Sequence, residues 1–166
     1  MSTPDDFADV LEANAAYAKS FVFNGLEARA AKGLGVLTCM DSRLDPLNML
    51  GLAPGDAKIL RNAGARVTED VLRTVVLAHY LLSVDRLMVV GHTSCRMASG
   101  PESAVHDAIR EAGGPDTRSL SFLTTDDQKA SIAEDVQRVR SYPYLAGLQV
   151  GGFLYNLHTG VLEPVC

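Results

Sequence analysis

The run Leu87-Met88-Val89-Val90-Gly91 is apolar at every position, so whatever it forms must be covered on both faces. That is the pattern of a strand in a parallel sheet, whose crossover connections place helices on either side. With Asp85 added it reads as one of four such strands, the others being Gly35 to Cys39, Ala57 to Arg61 and Leu148 to Asn156. Helical segments separate them. Asp45-Pro46 starts a short one, since proline suits a first turn where no N–H bond is lost. Thr68-Glu69-Asp70 sets a cap and two acids at the head of a helix that runs through Leu82. Pro101 to Ala112 reads as another, closed by Gly113-Gly114-Pro115. After a looser stretch, Thr125-Asp126-Asp127 caps a helix that turns Ile132, Val136 and Val139 inward and stops at Tyr142-Pro143. Gly151-Gly152 marks a bend or a close approach within the fourth strand. His158-Thr159-Gly160 then turns the chain into Val161 to Val165, an antiparallel edge strand. The expected class is α/β, a mainly parallel β-sheet flanked by helices.

The first thirty residues stand apart. Residues 5–31 are rich in Ala, Leu and Glu, with Phe7, Val10, Leu11, Asn14 and Tyr17 spaced as one helical face. Asp5 or Asp6 is the expected cap, and Gly25 and Gly33 bracket a second short helical piece. Phe21, Val22 and Phe23 are more apolar than a solvated arm should be, so this segment packs on its own domain or covers a partner subunit. A chain of 166 residues without linker, repeat or low-complexity segment is expected to form one domain over 1–166, with 1–31 as an N-terminal helical arm.

Composition removes several classes of function. A net charge of −5 without a Lys/Arg cluster argues against a nucleic-acid surface. No apolar run approaches the ~20 residues of a membrane span. Met1-Ser2-Thr3-Pro4-Asp5-Asp6 lacks the basic and apolar regions of a signal peptide. Three cysteines, an odd count, suit a reducing compartment better than a disulfide framework. The cytoplasm is the expected location.

The strand ends carry the chemistry. In open parallel sheets the ligand site lies beyond the carboxyl ends of the strands, and Cys39, Gly64 and His92-Thr93-Ser94-Cys95 all fall there. Two thiols and one imidazole form a ligand set that zinc selects. The H-x-x-C spacing on a tight turn lets two side chains converge on one ion. The fourth position belongs either to water, giving a catalytic site, or to Asp41, giving a closed one. The competing reading makes Cys39 and Cys95 small buried hydrophobes. A polar partner two or three residues from each favours the metal. Asp41 and Arg43 alternate past the strand end and can pair. An exposed pair is worth only ~0–1 kcal/mol, but beside a metal Arg43 gains the task of holding a carboxylate off the ion. The residues thus point to a zinc lyase that hydrates a small carbonyl substrate. Of the rest, His79 is expected to be a partnered core histidine, His106 and His158 solvated, and Cys166 a frayed terminal thiol. Arg61 and Arg66 flank a glycine loop, where they serve the surface or steer an anion such as bicarbonate.

Cys39-Met40-Asp41-Ser42-Arg43, Arg61-Asn62-Ala63-Gly64 and His92-Thr93-Ser94-Cys95, in this order, resemble the β-class carbonic anhydrases, most closely their short actinobacterial form. The resemblance implies one zinc ion per chain on Cys39, His92 and Cys95, with an Asp41–Arg43 dyad gating the fourth position and Gly64 bordering the substrate. It implies reversible hydration of carbon dioxide to bicarbonate and a proton by zinc-bound hydroxide, zinc lowering the pKa of water from about 15.7 to about 7. It also implies an obligate homodimer, or a dimer of dimers, whose N-terminal helix embraces the partner. The alternatives are a carbon disulfide or carbonyl sulfide hydrolase on the same scaffold, or a non-catalytic zinc- or bicarbonate-binding protein. Many members carry glycine directly after the second cysteine, where this chain has Arg96-Met97.

Overall fold

A computed structural model describes residues 4–166 of the chain. Five strands, β1 Leu34–Cys39, β2 Ala57–Asn62, β3 Arg86–His92, β4 Gln149–Tyr155 and β5 Leu162–Pro164, form one sheet in the order β2-β1-β3-β4-β5. The first four are parallel, and β5 runs antiparallel to β4 with Leu154 opposite Glu163. The α/β class expected from the strand and helix pattern is therefore the observed one. The chain moves outward from β1 to β2 and then returns past β1 to β3. That reversal puts the topological switch point between β1 and β3, where open parallel sheets bind their ligands.

The strands alternate, and each face finds different cover. Leu37, Leu87, Val89 and Val150 point to one side, against Val71, Leu72, Val75 and Ala78 of helix α3 (Glu69–Leu81) and Ile132, Val136 and Val139 of helix α5 (Gln128–Arg140). Gly152 makes room for α5: a Cβ there would meet Ile132 Cγ2 at 2.5 Å. This is the close approach expected at Gly151-Gly152. Val36, Met88, Val90 and Phe153 point to the other side, where the short helix α2 (Pro46–Met49) and Leu50 and Leu52 behind it give only partial cover. The caps work as anticipated. Asp45 accepts from Asn48 N at 3.2 Å, Thr68 from Val71 N at 3.4 Å and Asp127 from Ala130 N at 3.0 Å. Helix α4 (Glu102–Glu111) follows β3 as expected.

Helix α1 (Ala8–Ala18) has no buried residue, and Phe7, Val10, Leu11, Tyr17, Phe21 and Val22 are all exposed. Tyr17, Phe21 and Phe23 pack their rings on one another, 5.7 and 5.9 Å apart. One expectation fails in this arm, the helix between Gly25 and Gly33. The Asp5 side chain lies outside the described residues; Asp6 sits in a 3-10 turn (Pro4–Phe7), and Phe7 occupies the N-cap without a capping side chain. Between Gly25 and Gly33 there is no helix. That stretch runs through turns and bends instead, pinned where Ala31 N donates to Gly55 O and Lys32 N to Asp56 O. Nor does the chain end fray, because Gly152 N donates to Cys166 O at 2.8 Å.

Candidate metal centre

Adjacent strands deliver the site. Cys39 is the last residue of β1 and His92 the last of β3, and the turn Thr93-Ser94 folds Cys95 back over them. Ser94 takes a left-handed φ of 56°, which lets the H-x-x-C segment close on itself. Thr93 holds that turn, its N–H donating to Tyr155 O at 2.9 Å and its hydroxyl accepting from Leu157 N at 3.1 Å. One ligand atom each from Cys39, His92 and Cys95 then lies within 4.8 Å of the others, and all three residues are buried.

Two measurements test whether zinc fits. The sulfurs are 3.9 Å apart. A disulfide would need ~2.05 Å, whereas tetrahedral zinc with Zn–S bonds of ~2.3 Å separates two sulfurs by ~3.8 Å. The second test is His92, whose ring is fully buried. Its Nδ1 lies 2.9 Å from Thr93 O, and a carbonyl only accepts, so Nδ1 carries a proton and, in the neutral ring, Nε2 carries the lone pair. Among the described residues, that Nε2 has no hydrogen-bond partner. Leaving a buried acceptor unpaired costs about 1–3 kcal/mol, so its chemistry asks for an electrophile. The donor set fits zinc.

The surroundings prepare charge at the sulfurs. Hydrogen bonding from Cys95, and from the Gly64 N–H at 3.4 Å, holds the Cys39 thiol far below its ordinary pKa despite burial. Cys95, facing that thiolate and itself buried, is pushed up. A cation between the two sulfurs would favour loss of both protons. Asp41 stands to one side. Arg43 grips it in a fork, Nε to Oδ1 at 2.9 Å and Nη2 to Oδ2 at 2.6 Å, which holds its carboxyl well below the usual range. Arg43 Nη2 also donates to Ser94 O at 3.1 Å, tying the dyad to the Cys95 turn. The nearer carboxylate oxygen is 3.8 Å from His92 Nε2, so Asp41 is beside the ligand cluster while turned to its arginine.

A sequence model of the carbonic anhydrase family matches residues 34–162, from the start of β1 to the start of β5. A β-carbonic anhydrase from Mycobacterium tuberculosis is 30% identical over 168 residues, with 99% of each chain covered. The chain belongs to the β-class carbonic anhydrases. It is an enzyme of carbon dioxide hydration. The crystal structure of carbonic anhydrase from Streptococcus mutans superposes with a TM-score of 0.90 at 31% identity, covering 100% of both chains. A carbon disulfide hydrolase from Acidithiobacillus thiooxidans is 26% identical, covering 79% of this chain and 76% of its own.

Other expected residues fall elsewhere. Arg61 and Arg66 are engaged internally rather than aimed at an anion: Arg61 donates to Cys39 O at 2.9 Å and Asp41 O at 2.6 Å, and Arg66 pairs with Asp135 at 2.7 Å. His79 is the partnered histidine anticipated, Nδ1 at 2.7 Å from Val84 O, and His158 is exposed. His106 is not simply solvated; it is half-buried, bonded to Thr117 Oγ1 at 3.0 Å and packed on Phe122. Sequence reasoning passed over Asn62 and Asp135, which bond to Arg66, and Gln128, which donates to His92 O. Asn62 lay inside Arg61-Asn62-Ala63-Gly64, a signal that was available; nothing local marked the other two.

Proposed function

We propose that Cys39, His92 and Cys95 hold one zinc ion per chain, and that this site, with Asp41 and Arg43 beside it, interconverts carbon dioxide and bicarbonate. The observation that carries the reading is the buried, unpartnered Nε2 of His92 within ligand distance of two thiols. Zinc, when bound, lowers the pKa of water to about 7 and so supplies a nucleophile at neutral pH. Asp41 accepts the hydrogen bond of the attacking oxygen and orients its lone pair toward the carbon of carbon dioxide, near Gly64. The new C–O bond gives bicarbonate, and a buffer takes the released proton. Arg43 keeps Asp41 in that role by offering it a bidentate, charge-assisted partner in competition with the metal.

The functional unit is a homodimer of single-domain chains, 1–166, or a dimer of such dimers, and its place is the cytoplasm. Support comes from two surfaces that one chain leaves open. The arm displays Phe7, Val10, Leu11, Tyr17, Phe21 and Val22, and the second sheet face has only α2 and its flank to cover it. Deleting residues 1–24 should yield aggregate or inactive monomer on light scattering; a fully active truncated monomer would refute the dimer.

Elemental analysis of purified protein should find close to one zinc per chain, and Cys39→Ser or His92→Ala should lose most of it. Stopped-flow assays of the zinc-loaded protein should show carbon dioxide hydration. A second arm with carbon disulfide decides for the hydrolase if it is turned over and carbon dioxide is not. Active protein free of metal would sink the site.

A further inference from the structure

We infer that Asp135, on α5, is a positioning residue for the Cys39 thiolate, acting through Arg66 and the backbone N–H of Gly64. The inference rests on the metal reading above. Its starting point is the Gly64 N–H, which donates to Cys39 Sγ at 3.4 Å. The loop presenting that N–H is not one a chain adopts unaided. Gly64 has φ 78° and Ala65 φ 59°, two left-handed residues in succession, the second bearing a Cβ and only 2% exposed. Such backbone persists only where its surroundings over-determine it.

Two devices do so here. From the strand side, Asn62 takes both backbone groups of Arg66: Oδ1 accepts from Arg66 N at 2.9 Å and Nδ2 donates to Arg66 O at 2.7 Å. From the helix side, Arg66 Nε donates to Asp135 Oδ2 at 2.7 Å, and Nη1 to Leu123 O at 3.0 Å. The ion pair is enclosed, its side chains 16% and 6% exposed. Stability alone is a poor reason to keep such a pair, because an apolar pair of similar volume often serves as well or better. Position is a better one. The first residue of α5, Gln128, donates to His92 O at 2.8 Å. One helix therefore holds the backbone behind His92 and, through Arg66, the amide that faces Cys39. An N–H donated to a thiolate draws charge from the sulfur and fixes its lone-pair direction. Outer contacts of this kind are typically worth about 10–100-fold in metal affinity.

The test compares wild type with Asp135→Asn, which keeps the shape and loses the charge, and with Arg66→Met combined with Asp135→Leu, which replaces the pair by apolar volume. Val136→Ala serves as a control that loosens the same helix from within the core. Each full-length protein is titrated with zinc against a chelator, then loaded with cobalt(II) and examined for thiolate-to-metal charge-transfer absorption. Expected are a rise in zinc dissociation constant of about 10-fold or more in both pair variants, a shifted charge-transfer band, and an unshifted band in Val136→Ala. Pair variants that fold with wild-type affinity and band overturn the inference, as does a band that moves equally in Val136→Ala. Should the double variant not fold, Asp135→Asn decides alone. Wild type that takes up neither ion overturns the metal site, and this inference with it; wild type that takes them up beside unaltered variants overturns the inference only.

Discussion

The molecule holds two arginine–aspartate pairs around one cluster of ligands, and they differ in almost every respect. Asp41 and Arg43 are two residues apart, with side chains 18% and 55% exposed. Arg66 and Asp135 are 69 residues apart, with side chains 16% and 6% exposed. Water can replace either partner of the first pair at small cost, so Asp41 can exchange one partner for another. In the second, each ion would be left in a poorly polarisable interior, so the pair stays closed. The solvated pair suits an acid that exchanges partners, and the enclosed pair suits a loop that stays still.

Breaking the enclosed pair should have the largest effect on stability. Asp135→Ala strands the Arg66 guanidinium, and the scale for such a loss is about 3–5 kcal/mol. At this chain length that is roughly 6–20 °C in Tm, read by calorimetry on zinc-loaded protein. A shift of less than a degree or two would show the pair to be well hydrated and the contrast false.

Breaking the exposed pair should do the opposite. Arg43→Ala should change unfolding free energy by no more than about 1 kcal/mol. It should nevertheless lower kcat/KM for carbon dioxide by about 100-fold or more, the scale for losing one preorganised charged group. Zinc content should stay intact, because Arg43 contributes no ligand atom. Zinc-replete Arg43→Ala with wild-type rates would mean that Asp41 needs no competing partner here.

Salt sharpens the comparison with the smallest effect. Double-mutant cycles isolate the coupling within each pair. Raising ionic strength toward 1 M shortens the Debye length to about 3 Å, so the coupling of Asp41 with Arg43 should fall toward zero. That of Arg66 with Asp135 should hold, since screening ions cannot enter. Equal salt sensitivity would place both pairs in the same environment.

Much of this was legible along the chain. The four parallel strands, the capping residues Asp45, Thr68 and Asp127, and the motif holding Cys39, Asp41 and Arg43 are local facts: apolar period, a short acceptor ahead of free N–H groups, side chains at fixed offsets past a strand. The failures are informative in the same terms. Gly25 and Gly33 looked like punctuation around a helix, but Ala31 and Lys32 find partners at Gly55 and Asp56, and pairing with a distant turn outweighed weak local propensity. His106 looked solvated because its neighbours on the helix are charged, yet Thr117 and Phe122 return to cover it.

Which residues could bind a metal, and that two strand ends carried them, the sequence determined alone, because ligand chemistry is a property of side chains and H-x-x-C spacing is a property of one turn. That β1 and β3 lie side by side, that Gly152 lets α5 descend onto the sheet, and that Asp135 reaches Arg66 were decided only by the tertiary structure. The reason is that such contacts join segments many residues apart. Their energies depend on burial, and burial is not a property of any one stretch of chain.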